Sequence, residues 1–346
     1  MTFSKILTHW YSVNKRELPW RQTSNPYYIW LSEIILQQTQ IKQGLPYYEA
    51  FVKTFPTVFD LANANEAKVL KLWQGLGYYS RARNLHAAAK YVVNDLKGVF
   101  PDNYKDLLQL KGVGDYTASA IASICYNEPS AVVDGNVYRV LSRYFGIDTP
   151  INSSRGAKEF KALAQELIDV KDPATFNQAI MEFGAIQCKP KNPDCTICPL
   201  NSSCVALSKH SIATLPVKIK GAKVVKKYFN FLVFLLPDHK TLLEQREGKG
   251  IWQNLYQFPL IESKKALTSS QIQSQLKTLD NLKGKPFEVS LYNKDEIVHK
   301  LSHQHLYTQF WIVEVDTAIE GAIAMSEISD FPVPILIGNF IEAFNF

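Results

Sequence analysis

The sequence predicts two domains: a mainly α-helical one up to about residue 205 and a smaller α+β one from residue 228, joined by a lysine-rich connector at 206–227. Three observations carry this division. A chain of 346 residues exceeds the usual size of one domain. Apolar residues recur at helical spacing in the first part, in amphipathic stretches of 10–17 residues parted by Gly, Pro or Asn, and give way to short β-rich runs after Tyr228. The charge also changes sign: residues 1–227 carry a net +10 (28 basic against 18 acidic), residues 228–346 a net −4 (10 against 14).

Hydrophobic residues make up 46% of the chain, enough for real cores in a soluble protein. The longest apolar run, residues 229–236, is interrupted by Asn230 and is only strand-sized, so no membrane span is expected. Residues 1–11 lack the basic start, apolar middle and small-residue cleavage site of a secretory signal, which predicts an intracellular, cytoplasmic protein. No acidic residue lies between Asp194 and Asp238, while Lys209, Lys218, Lys220, Lys223, Lys226 and Lys227 accumulate there. Such a basic half and connector suit a polyanionic partner such as nucleic acid, or else a solvated linker.

The first informative segment runs Leu18-Pro19-Trp20-Arg21, then Pro26-Tyr27, then Ile29 to Gln40. On a helix, Glu33 shares a face with Trp30 and Gln37, while Ile34, Ile35 and Leu36 cover the core side. A carboxylate beside an indole is partly desolvated, which raises its pKa and favours a protonated acid near neutrality. The alternative is an ordinary surface glutamate. Further on, Gly112 and Gly114 predict a tight turn with unusual dihedrals, after which a helix starts near Asp115 and offers amide donors to a phosphate. Ordinary helix–helix turns use the same pair. Asp134 follows the apolar Val132-Val133 and precedes a helix over 137–145, where it serves either as a helix cap or as a functional carboxylate. Residues 158–169 form another helix, with Phe160, Leu163, Ala164, Leu167 and Ile168 on one face.

Four of the five cysteines, Cys188, Cys195, Cys198 and Cys204, are spaced C-x6-C-x2-C-x5-C. In an intracellular chain that density implies metal rather than disulfides, and four thiolates suit zinc and an iron–sulfur cluster alike. Lys189, Lys191 and Lys209 flank them and point to phosphate contact. Cys125, alone beside Ile124, reads as a small buried hydrophobe. In the second domain, strands are expected at 228–236, 287–292 and 307–315, and helices at 266–279 and 335–344.

Together these motifs resemble the endonuclease III/MutY family of DNA glycosylases over close to the whole chain. The resemblance implies a helix-hairpin-helix near 108–122 and a [4Fe–4S] cluster held by the four cysteines in a loop over 188–204, with a structural and DNA-positioning role. The family's bifunctional members carry a Schiff-base lysine two residues after the second hairpin glycine. Tyr116 stands there and Lys111 is off register, so strand cleavage is not expected. The segment around Glu33 is similar to the adenine glycosylase motif of MutY-type members. By that similarity Glu33 protonates adenine N7 and later activates water, and Asp134 stabilises or traps the sugar cation. Tyr116 and Asn136 orient the carboxylates, and Arg16, Trp20, Leu36 and Gln178 line the adenine pocket.

Residues 75–85 (Gly-Leu-Gly-Tyr-Tyr-Ser-Arg-Ala-Arg-Asn-Leu) are similar to the family's loop that wedges into the duplex, with Gln38, Leu76 and Tyr78 filling the gap left by a flipped base. Gly112, Gly114, Lys189 and Lys191 would meet the DNA backbone. Residues 245–252 and 255–259 resemble the start of a Nudix-type fold, but no glutamate-dense helix follows to hold metal ions. A non-catalytic recognition domain is implied, with Ser302 and His303 reading 8-oxoguanine and Leu301 at a position often aromatic in the family. The resemblance thus implies a monomeric, monofunctional enzyme of base excision repair that removes adenine opposite 8-oxoguanine or guanine in double-stranded DNA, nucleoid-associated in a bacterium. Two other readings are an endonuclease III-like lyase on oxidised pyrimidines and a non-catalytic iron–sulfur DNA-binding or redox-sensing protein. Tyr116 and the C-terminal domain disfavour the first, and the Glu33–Asp134 pair disfavours the second.

Overall fold

The structure, a computed structural model, describes residues 2–221 and 224–344; Lys223 of the basic connector lies outside them. By contact the chain divides into two compact units, Met1–Asn63 with Asn84–Lys220 and Ala64–Arg83 with Gly221–Phe346.

The first unit is helical. Asn25 caps the helix Pro26–Leu36 by accepting from the Tyr27 amide, Pro26 presets its first turn, and Ile29, Trp30, Leu31, Ile34 and Ile35 are buried. Helix Asp115–Tyr126 packs against it, and its small side chains Ala118, Ser119, Ala120, Ala122 and Ser123 are all buried. The helices expected from Asp115 and at 137–145 and 158–169 are found at Asp115–Tyr126, Gly135–Phe145 and Ser154–Leu167. Helix Pro173–Glu182 runs on into a π-helical turn, Phe183–Gln187, that delivers Cys188.

The second unit is built on a mixed sheet. Strand Val225–Leu235 pairs parallel with Gln304–Glu314 and antiparallel with Leu260–Ser263. Gln304–Glu314 also pairs antiparallel with Glu288–Leu291 and with Ile297–Lys300. Helices cover both faces. Phe340 of helix Ile335–Phe344 stacks on Phe310 at 4.0 Å, while Ile272 and Leu276 of helix Ser269–Leu276 pack with Leu232, Phe234 and Trp311. Asn230 sits in the apolar strand because its amide is fully used: Nδ2 donates to the Ile261 carbonyl and Oδ1 accepts from Trp311 Nε1.

Three expectations change. The connector is shorter than 206–227: Val217 and Ile219 bond to Ile151 and Asn152 of the helical unit, and Lys226 and Lys227 already lie in the first strand. Residues 64–83, expected in the helical domain, belong by contact to the second unit. Lys71 Nζ donates to the Phe331 carbonyl, Tyr79 Oη to that of Val333, Arg83 Nη1 to that of Gln253, and Asn254 Nδ2 to Glu66 Oε1. Of the two hairpin glycines only Gly112 needs to be one, with φ +83° and a would-be Cβ only 2.8 Å from Asn84 Cβ. Gly114, at φ −100° and ψ −177°, has ordinary extended backbone with open space around it.

Candidate active site

Four helices of the first unit bring their ends or faces together around Glu33. Burial pushes the Glu33 carboxyl up to about 7, the Asp134 charge adds to that, and a hydrogen bond with Tyr116 and the charge of Arg21 oppose it. Tyr116 comes from the first turn of Asp115–Tyr126, so the helix that follows the hairpin also supplies the hydroxyl beside the acid. Its phenol is held well above its usual range, by burial first and by Glu33 and Asp134 next. The same hydroxyl lies 3.2 Å from Met181 Sδ.

Asp134 is the N-cap of Gly135–Phe145: its Oδ1 accepts from the Asn136 and Val137 amides at 2.9 and 2.8 Å. Its other oxygen accepts from Asn136 Nδ2 at 2.7 Å. Capping and a place in the site are therefore not alternatives, because the cap aims the carboxylate. Burial raises its pKa, against the pull of these three bonds and of Arg139. Arg139 in turn donates to Asn136 Oδ1 and to the carbonyls of Gly184 and Cys188, tying the aspartate turn to the cysteine loop.

The residues expected around the adenine pocket divide. Arg16 forks onto Glu182, with Nε and Nη2 at 2.8 and 2.6 Å from its two oxygens, and Arg21 makes a second fork at 3.1 and 2.7 Å. Gln178 Oε1 accepts from Tyr11 Oη at 2.6 Å. Trp20 is buried edge-on to Tyr48, Leu36 is half-buried against Gly44, and Gln38 is exposed with φ 55°. Sequence reasoning missed Glu182 and Arg21. The signal was a lone carboxylate in the apolar run Ala179-Ile180-Met181-Glu182-Phe183, which burial allows only beside a cation.

In the second unit, Ser302 and His303 are exposed at the tip of the hairpin between Ile297–Lys300 and Gln304–Glu314. Ser302 Oγ and Tyr78 Oη are 2.5 Å apart. Tyr78 is half-exposed, in the left-handed region (φ 48°) after Gly77, whereas Leu76 of the same loop is buried.

The four cysteines line one cavity with Val140, Arg143 and Leu200. Arg143 Nη1 lies 3.5 Å from Cys188 Sγ and donates to the Lys189 carbonyl, while Nη2 donates to that of Pro190. Among the described residues, no three His, Cys, Asp or Glu side chains converge closely enough for a single ion. Four thiolates lining one cavity are a donor set that fits zinc and an iron–sulfur cluster alike. Lys189 and Lys191 are exposed on this loop, as Gly112 and Gly114 are on the hairpin.

Residues 31–184, which span Glu33, Tyr116, Asp134 and Glu182, match the HhH-GPD superfamily of base excision DNA repair proteins, and residues 230–343 match the NUDIX domain. The chain is 35% identical over 315 residues to the adenine DNA glycosylase of Buchnera aphidicola subsp. Baizongia pistaciae, covering 90% of this chain and 86% of that one. The chain belongs to the adenine DNA glycosylase family. Among adenine DNA glycosylases it is also 44% identical over 213 residues to that of Homo sapiens, covering 59% of this chain and 39% of that one. A solved thermostable thymine-DNA glycosylase aligns with a TM-score of 0.56 at 31% identity, over 60% of this chain and 95% of that one. Likeness to the Buchnera adenine DNA glycosylase thus reaches into the Nudix-like half, and the chain is a DNA N-glycosylase of base excision repair. No helix among the described residues is long and apolar enough to cross a membrane.

Proposed function

We propose that the protein excises adenine paired with 8-oxoguanine or guanine from double-stranded DNA, without cutting the strand. The observation that carries this is the pairing of Glu33 and Asp134 around Tyr116 in one buried site, one carboxyl raised to about 7 and the other fixed by a helix cap. Glycosidic cleavage needs an acid at the leaving base and an anion at the sugar. Protonated Glu33 donates to N7 of the flipped adenine, and the C1′–N9 electron pair leaves with the base. The Asp134 carboxylate stabilises the cation at C1′ or adds to it. The Glu33 carboxylate then takes a proton from the attacking water. Tyr116 and Asn136 position the two acids. Arg16, Trp20, Leu36 and Gln178 are assigned to the base pocket, Gln38, Leu76 and Tyr78 to the gap and wedge, and Ser302 and His303 to 8-oxoguanine. The exposed turn carrying Ser302 and His303, already joined to Tyr78, supports that last reading.

A [4Fe–4S] cluster on Cys188, Cys195, Cys198 and Cys204 supplies a rigid cross-link between chain segments rather than chemistry at the base. The exposure of Lys189 and Lys191 beside it, and the open space around Gly114, support phosphate contacts there. Tyr116, standing where a lyase carries its amine, favours hydrolysis over imine chemistry.

Single-turnover assays on A:8-oxoguanine, A:G and thymine-glycol duplexes, with and without alkali, test this reading. Adenine release should occur from the first two, with strand breaks only after alkali. Glu33→Gln should still bind the A:8-oxoguanine duplex and release almost no adenine; full activity in that variant would sink the assignment.

A further inference from the structure

Tyr116 has one hydroxyl proton and two acceptors in reach. One is the Glu33 carboxyl, with which it shares a hydrogen bond, and the other is Met181 Sδ at 3.2 Å. A phenol donates one hydrogen bond and accepts others, whereas a thioether only accepts. The tyrosine therefore cannot donate to both at once. When Glu33 is ionised it can only accept, Tyr116 donates to it, and the sulfur receives nothing. When Glu33 carries its proton, the acid donates to the phenolic oxygen and the phenolic proton is free to turn to the sulfur.

We propose that Met181 is a positioning residue for adenine excision, its thioether accepting the Tyr116 proton and so stabilising the protonated form of Glu33. This rests on Glu33 being the acid of the reaction. The sulfur is firmly placed, since Met181 directly precedes Glu182, which Arg16 and Arg21 clamp from two sides. It also packs with Tyr116 at the edge of the core that holds Ile180 and Phe183. Packing alone would be served as well by leucine, so the sulfur's distinct contribution is the lone pair. The other groups acting on Glu33 are Asp134 from the capped turn, Arg21 from the N-terminal segment and the Cys125 thiol, and none is altered by a change at 181.

The test is Met181→Leu in the cluster-loaded protein, read as the pH profile of single-turnover adenine release from an A:8-oxoguanine duplex. Without the sulfur, the phenolic proton goes to Glu33 alone and favours its carboxylate. The alkaline limb, set by Glu33 at about 7, should move down by about half to one pH unit, a roughly three- to tenfold loss above the limb with the acid plateau retained. Isotope-edited infrared titration of the Glu33 carboxyl should show the same shift without turnover, and Tyr116→Phe should abolish the effect of Met181→Leu. The proposal is overturned by an unmoved limb, by an equal loss at every pH, or by the same shift in the Tyr116→Phe background. A wild type with no alkaline limb, or an active Glu33→Gln, would instead overturn the role of Glu33 itself.

Discussion

Glu182 is 1% exposed and holds two arginines that would otherwise repel each other. Burial alone would raise its pKa, but the hydrogen bonds from Arg16 and Arg21 outweigh that and hold it at about 2. A depressed carboxyl contributes stability above its unfolded pKa of about 4.5, and that contribution is lost as pH falls toward about 2. Glu182→Gln should therefore cost about 3 kcal/mol at neutral pH, by leaving two guanidinium groups without their counter-charge. Its thermal stability should also fall less steeply on acidification than that of the wild type. Equal acid dependence in the two proteins would rule this out. Glu33 was legible from its neighbours, because a carboxylate one turn from an indole on an apolar helix has few places to go but inward. Glu182 was not. Its partners lie more than 160 residues away in sequence, and no local pattern announces them.

At the scale of elements, the hairpin separates two demands that look alike in sequence. Gly112 occupies the left-handed region with a neighbour where a Cβ would go, and Gly114 has neither constraint. Gly112→Ala should lower stability by about 1 kcal/mol or more, from strain at φ +83° and the clash with Asn84. Gly114→Ala should leave thermal stability unchanged and weaken duplex binding, because the space it fills is the space a phosphate backbone needs. Unfolding and DNA titrations on the pair separate the two roles. The periodic helices were readable because apolar faces are local, whereas their starts were placed late, the caps Asp134 and Ser153 lying just before Gly135 and Ser154. Strands Lys240–Thr241, Glu244–Gln245 and Tyr256–Gln257 were missed, since two residues carry no alternation to detect. Ile297–Lys300 was missed because it is defined by its pairing with Gln304–Glu314, not by its own composition.

At the scale of the molecule, the sequence change at Tyr228 marked the two architectures but not which chain segments build them. Residues 64–83 are helical in texture, so they read as part of the helical half. What assigns them is hydrogen bonding to carbonyls at 253, 331 and 333, and backbone groups carry no sequence signature. A fragment ending at Lys220 should therefore be cut by protease within 64–83, while the full chain resists there. Equal resistance in both would contradict this assignment. The arrangement also bears on how the protein is made. A ribosome emits residue 83 long before residue 333, and at common elongation rates the interval is roughly ten to fifty seconds. From the emergence of Lys220 onward, the future wedge loop is tethered at both ends to a helical unit that is complete and able to fold. It waits, with Lys71, Tyr79 and Arg83 lacking the carbonyls they donate to, for a partner that does not yet exist. Nascent chains of this protein thus carry a timed vulnerability at the very segment proposed to probe damaged DNA.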